Sequence, residues 1–149
     1  MENILSRTEK LLRIKVKDIM SGNLVTVDAD DLIGKASRLM IENRMHSLIV
    51  MKNARPTYMV STYDLIKVSY EDTFSEDNAD MLRTPVEELV KGQKMASVTS
   101  EDFLIDALRI LVEYNVHSLP VIDDGIIKGV VTLMDLAKWY MKTHEELQR

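Results

Sequence analysis

Apolar and polar positions follow two rhythms along this chain, and the same order of rhythms occurs twice. Leu24-Val25-Thr26-Val27 is a short β-rich run. A stretch at helical spacing follows, with apolar positions at Leu32, Ala36, Leu39, Met40 and Ile41, and with Asp28 and Asp30 placed to cap it. Ser47–Met51 reads as an apolar strand, Lys52–Pro56 as a turn and Tyr58-Met59-Val60 as another strand, after which a helix opens near Ser61-Thr62. In the second half Thr99 and Ser100 precede a helix that turns Phe103, Leu104, Ala107, Leu108, Leu111 and Val112 inward. Leu119–Ile122 is then a strand, Asp123-Asp124-Gly125 a turn and Ile127–Val131 a strand, and a helix begins at Thr132. Each half thus predicts the order β-α-β-β-α, and the fold class is α/β (α+β).

The halves are copies of one another. His46-Ser47-Leu48 returns as His117-Ser118-Leu119, an offset of 71, and Leu24–Lys67 aligns on Met95–Lys138 without a gap and with 13 identical positions. Upstream, Val16-Lys17-Asp18-Ile19-Met20 aligns on Val86-Glu87-Glu88-Leu89-Val90 at an offset of 70. The predicted organisation is an N-terminal helical segment over 1–15, a first repeat over 16–70, an acidic linker over 71–84, a second repeat over 85–140 and a helical tail over 141–149. Ser69–Asp80 carries Glu71, Asp72, Glu76, Asp77 and Asp80 and predicts an exposed linker or loosely ordered loop. The terminal segments, with Leu5, Leu11, Leu12, Trp139 and Tyr140, read as a flap over the core or as helices for a partner.

Composition narrows the function. The chain has 149 residues, a formal net charge of -5 and no cysteine, which excludes disulfides, thiolate metal sites and cysteine nucleophiles. No Lys/Arg cluster supplies the basic footprint that nucleic acid needs. No apolar run approaches the roughly 20 residues that cross a bilayer, and the first residues lack a signal-peptide pattern, so the expected location is cytoplasmic, without membrane. There is no Gly-x-Ser-x-Gly, Walker loop, Gly-x-Gly-x-x-Gly or His-Glu-x-x-His, and no nucleophile–base set, so no enzyme is expected. Asp64 and Asp135 as paired acids would be the weakest alternative, since neither has a visible partner.

The motifs in order, twice, resemble the cystathionine-β-synthase (CBS) family. The residues are Val16-Lys17-Asp18-Ile19-Met20, Val25-Thr26-Val27, His117-Ser118-Leu119-Pro120-Val121-Ile122-Asp123 and the closing Gly129-Val130-Val131-Thr132-Leu133-Met134-Asp135, which fits the family's Gly-h-h-Thr/Ser-x-x-Asp. The chain is similar to a tandem CBS pair, a Bateman module, and reads as a stand-alone regulatory module. The resemblance implies two repeats packed about a pseudo-two-fold axis and clefts that take AMP, ADP, ATP or S-adenosylmethionine, with no required cofactor. It further implies a homodimer, and a regulated protein partner acting in trans. One cleft would use Thr132, Asp135 and Val130 with Met45, His46 and Ser47. The mirror cleft would use Ser61 and Asp64 with Val116, His117 and Ser118. A module that binds nothing and assembles through its dimer surface is the alternative.

The closing motif also has a chemistry of its own. Thr132 stands at a strand-to-helix junction, where free backbone N–H groups and the helix dipole favour an anion. Asp135, three residues on, can accept from vicinal ribose hydroxyls. The same Thr-x-x-Asp is equally a capping box, which needs no ligand. The first copy departs from the pattern: Tyr58 replaces the Gly seen at Gly129, Ile49 replaces Pro120 and Ser61 replaces Thr132, so its cleft is expected to be weak or empty. His46 and His117 are equivalent and lack further metal ligands at recognisable spacing. Phosphate contact or an ordinary polar position suits them better, with a pH response as a further option. The ten methionines suit adaptable packing around a flat base, or simply core filling.

Overall fold

A computed structural model describes residues 9, 12–74 and 80–148 of the chain. They form two compact units: Val25–Met95 is a continuous unit, and the described parts of Met1–Leu24 and Ala96–Arg149 together make a split unit. Leu5, Leu11 and the linker residues Glu76 and Asp77 lie outside the described residues.

The continuous unit runs β1 (Thr26–Asp28), α1 (Ile33–Asn43), β2 (Ser47–Lys52), β3 (Arg55–Ser61), α2 (Thr62–Phe74), a 3-10 turn (Met81–Arg83) and α3 (Glu87–Val90). β2 is central, parallel to β1 and antiparallel to β3, with Val27 opposite Val50 and Leu48 opposite Val60. Leu48, Ile49 and Val50 are all buried, as in a strand covered on both faces. Ile33, Ala36 and Met40 of α1 close the core with Val86 and Val90. Helix α2 continues to Phe74, so the predicted loop from Ser69 is helical in its first part. The apolar Val68 anchors its inner side.

The split unit contains a 3-10 turn (Val16–Asp18), α4 (Leu104–Glu113), β4 (Ser118–Asp123), β5 (Ile126–Thr132) and α5 (Leu133–Leu147). β4 and β5 are antiparallel, with Leu119 opposite Val131 and Ser118 opposite Thr132. The first strand expected in this copy shrinks to one parallel bridge, Val98 to Val121. Its next N–H, from Ser100, goes to the Asp123 carboxylate at 2.9 Å, whereas the equivalent Ala29 N–H takes the Met51 carbonyl at 2.8 Å. A side chain thus ends the ladder that a main-chain carbonyl continues in the other unit.

The predicted helix caps need correction. The N-cap of α1 is Leu32 and that of α4 is Phe103, and neither makes a side-chain cap. Asp31 and Asp102 instead turn back to the N–H groups of Asp28 and Thr99, each at 2.8 Å. The first N–H of each helix is met from a distant segment: Ile33 by the Thr84 carbonyl and Leu104 by the Ile14 carbonyl. Leu32 and Phe103 are therefore exposed rather than inward, and so are Ile41 and Val112, each 77% exposed.

Candidate functional site: two strand-to-helix junctions

In the split unit β5 passes directly into α5 at Thr132, whose extended backbone makes it the N-cap. Its hydroxyl accepts from the Asp135 N–H at 3.0 Å, and Asp135 Oδ2 accepts from the Thr132 N–H at 2.9 Å. The capping box expected from Thr-x-x-Asp is therefore formed. The next donor, Leu133 N–H, bonds the His117 carbonyl at 3.0 Å. The first turn is thus largely satisfied internally. Asp135 Oδ1 takes no hydrogen bond from the described residues.

The continuous unit repeats the arrangement at Ser61. Asp64 Oδ2 accepts from the Ser61 N–H at 2.8 Å and from the Ser61 hydroxyl at 2.9 Å, while Thr62 N–H bonds the His46 carbonyl at 2.9 Å. Here Asp64 Oδ1 has a further partner, the side-chain amide of Gln93 at 3.5 Å.

Neither unit gathers a whole expected set: each brings the junction residues of one expected cleft together with the strand-entry residues expected in the other. Val116, His117 and Ser118 lead into β4 beside Thr132 and Asp135, with Ser118 buried and His117 exposed. Met45, His46 and Ser47 stand likewise beside Ser61 and Asp64, with Ser47 opposite Ser61. Met45, His46 and Thr62, with Arg44, also line a groove of about 570 Å³ between α1 and α2. Val130, half-buried on β5, exchanges two backbone hydrogen bonds of 2.9 Å with Ser21. Among the described residues no group of three or more His, Asp or Glu is arranged to hold a metal, and no helix is long and apolar enough to cross a membrane.

That exchange with Ser21 explains Gly129. A Cβ on Gly129 would lie 2.6 Å from the Ser21 carbonyl oxygen, so the close approach it permits is that of the chain's own backbone. Tyr58, at the same register in the first copy, packs instead against the core of the continuous unit. Sequence reasoning missed both Ser21 and Gln93, because they fall in the short stretch where the repeat offset changes and no motif marks them.

Ion pairs form where the opening segment of each repeat docks. Lys15 and Lys17 both bind Glu101, Lys17 at 2.7 Å, and their hydrogen bonds hold the Glu101 carboxyl down at about 2. Hydrogen bonds from the Ser100 hydroxyl and N–H lower Asp123 in the same way. In the continuous unit the hydrogen bond and charge of Glu87 raise Lys52.

The chain belongs to the CBS domain family, whose pattern it matches over residues 16–71 and 81–142. It is 29% identical over 139 residues to the CBS domain-containing protein DDB_G0289609 of Dictyostelium discoideum, covering 90% of this chain and 96% of that one. It is also 29% identical over 133 residues to the uncharacterized protein MJ1404 of Methanocaldococcus jannaschii, spanning 84% of this chain but only 31% of that relative. Among solved structures it resembles CBSX2 in complex with AMP, with TM-score 0.74, 24% identity and coverage of 88% and 98%. It also resembles the CBS domain pair of protein MJ0100 in complex with 5'-methylthioadenosine and S-adenosyl-L-methionine, with TM-score 0.73, 18% identity and coverage of 87% and 97%. The fold is that of a tandem CBS pair.

Proposed function

We propose that this protein is a regulatory module that binds an adenosyl ligand at its strand-to-helix junctions and relays occupancy to a dimer mate or a protein partner. The observation that carries the reading is the Thr132/Asp135 junction. One carboxylate oxygen holds the cap while Oδ1 stays open to accept from vicinal hydroxyls, so capping and ribose binding coexist on one side chain. The adenosyl compounds bound by similarly folded CBS pairs support the choice of ligand class. Val130, on the strand that leads into Thr132, is a further ligand contact of the proposal. No reaction is part of this reading, and the expected location is the cytoplasm.

Ile41 and Tyr63, with their counterparts Val112 and Met134, are exposed apolar residues on the helices of both units. They support a homodimer formed through helix faces, the route by which occupancy would reach a second chain. The alternative of a ligand-free assembly module draws on this same surface. A thermal-shift screen with AMP, ADP, ATP and S-adenosylmethionine separates the two. The proposal expects at least one compound to raise Tm in wild type and to do so far less in Asp135→Asn. No shift with any of the four would leave the assembly reading in its place.

A further inference from the structure

The two junctions differ in one partner, and that difference bears on which of them is available to a ligand. In the continuous unit the Gln93 side-chain amide lies 3.5 Å from Asp64 Oδ1 and 3.4 Å from the Leu89 carbonyl, so its two N–H groups have two acceptors in reach. The remaining oxygen, Oδ2, is taken by the Ser61 N–H and hydroxyl. Asp64 therefore has both carboxylate oxygens engaged by its own chain. In the split unit the position that corresponds to Gln93 is Gly22 or Asn23, depending on where the offset changes from 70 to 71. Open space surrounds the Cα of Gly22, and Asn23 makes no hydrogen bond to Asp135. Asp135 Oδ1 is left open.

We propose that Gln93 is an internal competitor for the first site: its amide occupies the Asp64 oxygen that a ligand hydroxyl would otherwise use, and holds that site at low affinity while the Thr132/Asp135 site fills. The inference rests on the adenosyl-ligand reading above and assigns a cause for unequal sites other than the bulk of Tyr58. A ligand hydroxyl must displace the amide, so its net gain is only the difference between two hydrogen bonds to the same carboxylate. Gln93 is exposed, and its displaced side chain can be solvated at once. Leu89, by contrast, packs against the core, which fixes the helical turn that presents Gln93.

The test uses the full chain with AMP as probe. Asp135→Asn removes the charge at the second site while its amide oxygen still accepts the Thr132 N–H, so calorimetry in that background reads the Asp64 site. Adding Gln93→Ala is expected to raise the AMP association constant there about three- to tenfold, and further addition of Asp64→Asn to abolish the gain. An unchanged constant overturns the inference, and a lowered one makes Gln93 a ligand contact and overturns it equally. Without ligand, the Gln93 side-chain amide resonances should move in Asp64→Asn and stay in place in Asp135→Asn. If they stay in place in both, the competition does not exist. Wild type that takes no AMP while those resonances do move in Asp64→Asn would fail the adenosyl reading and bring down the competition for this ligand, while leaving the Gln93–Asp64 contact standing.

Discussion

The continuous and split units are built by one backbone scheme with opposite charges. In the continuous unit the segment Val86–Val90 docks through Val86 N–H to the Asp31 carbonyl at 2.7 Å and Glu87 N–H to the Ala29 carbonyl at 3.1 Å. In the split unit Val16 and Lys17 make the equivalent bonds to Asp102 and Ser100, at 2.8 and 3.0 Å. The main chain alone would accept either segment in either unit. The side chains do not: acidic Glu87 meets Lys52, and basic Lys17 meets Glu101. At the offset of 71 Glu101 corresponds to Asp30 and Lys52 to Asp123, so an exchanged Glu87 would meet Glu101 and Asp123, while an exchanged Lys17 would meet Lys52 with Asp30 close by. Surface ion pairs add little stability, but the two carboxylates that a misplaced Glu87 would meet discriminate against the wrong partner by repelling it.

The largest effect should come from removing the feature that separates the two hairpins, Gly129 against Tyr58. Gly129→Ala pushes a Cβ into the Ser21 carbonyl, where backbone must shift, and should cost about 2–3 kcal/mol. Urea unfolding would read this as a lower midpoint at unchanged m-value. A loss below about 1 kcal/mol would mean that Ser21 yields easily and that the Ser21–Val130 exchange does not fix the glycine.

Next in size is the contrast between Asp135 and Asp64. Replacing either by Ala removes a cap and should cost the fold about 0.5–1 kcal/mol. Asp135→Ala should also weaken AMP binding by about 1.5–3 kcal/mol, while Asp64→Ala changes it little. Calorimetry on the two variants decides: equal losses would remove the asymmetry between the sites, and a collapse of Tm with unchanged affinity would return Asp135 to capping alone.

The repeat made most of this legible in the sequence itself. Strands β2 to β5 lie within a residue or two of the apolar runs at Ser47–Met51, Tyr58–Val60, Leu119–Ile122 and Ile127–Val131 in all but the start of β3, because buried apolar runs bounded by turn residues admit few readings. The capping box at Thr132 was equally visible as a local pattern. The helix starts were not. Polar residues before α1 and α4 looked like caps, yet the N–H groups are met by Thr84 and Ile14, which lie far off in sequence and carry no signal in a carbonyl. The inward faces were over-read at Ile41 and Val112, where apolar residues at helical spacing stay exposed. The duplication also hid which segment docks where, since the two copies of this interface share one backbone scheme and the side chains that differ, such as Lys17 against Glu87 and Lys52 against Asp123, form no motif.

The hairpin turns offer a smaller and cleaner difference. Asn53-Ala54 and Asp124-Gly125 both have positive φ at both central positions, with Ala54 at 60° and Gly125 at 78°. Only glycine occupies that region without strain, so Ala54→Gly should stabilise the continuous unit and Gly125→Ala destabilise the split unit, each by about 1 kcal/mol. Opposite shifts of Tm in the two variants are the expected result, and parallel shifts would mean that something other than φ controls the turns.

The smallest effect concerns pH and follows from the charge inversion. Lys15 and Lys17 hold the Glu101 carboxyl at about 2, below its ordinary value, so its contribution to folding is present above the usual carboxylate range. It is lost as pH falls through that range to about 2. Lys52 in the continuous unit is raised by Glu87, so its contribution is complete below the ordinary lysine value and is lost only as pH rises through the raised one. Glu101→Gln should therefore flatten the acid limb of the stability curve and, because Glu101 also raises Lys17, trim the alkaline limb as well, whereas Lys52→Met should act on the alkaline limb. Both groups are exposed, so moderate salt should shrink the two effects together. Urea midpoints recorded from pH 2 to 6 would check the first claim. An acid limb that keeps its slope in Glu101→Gln would assign acid sensitivity to other carboxylates and separate it from the docking of the Lys17 segment.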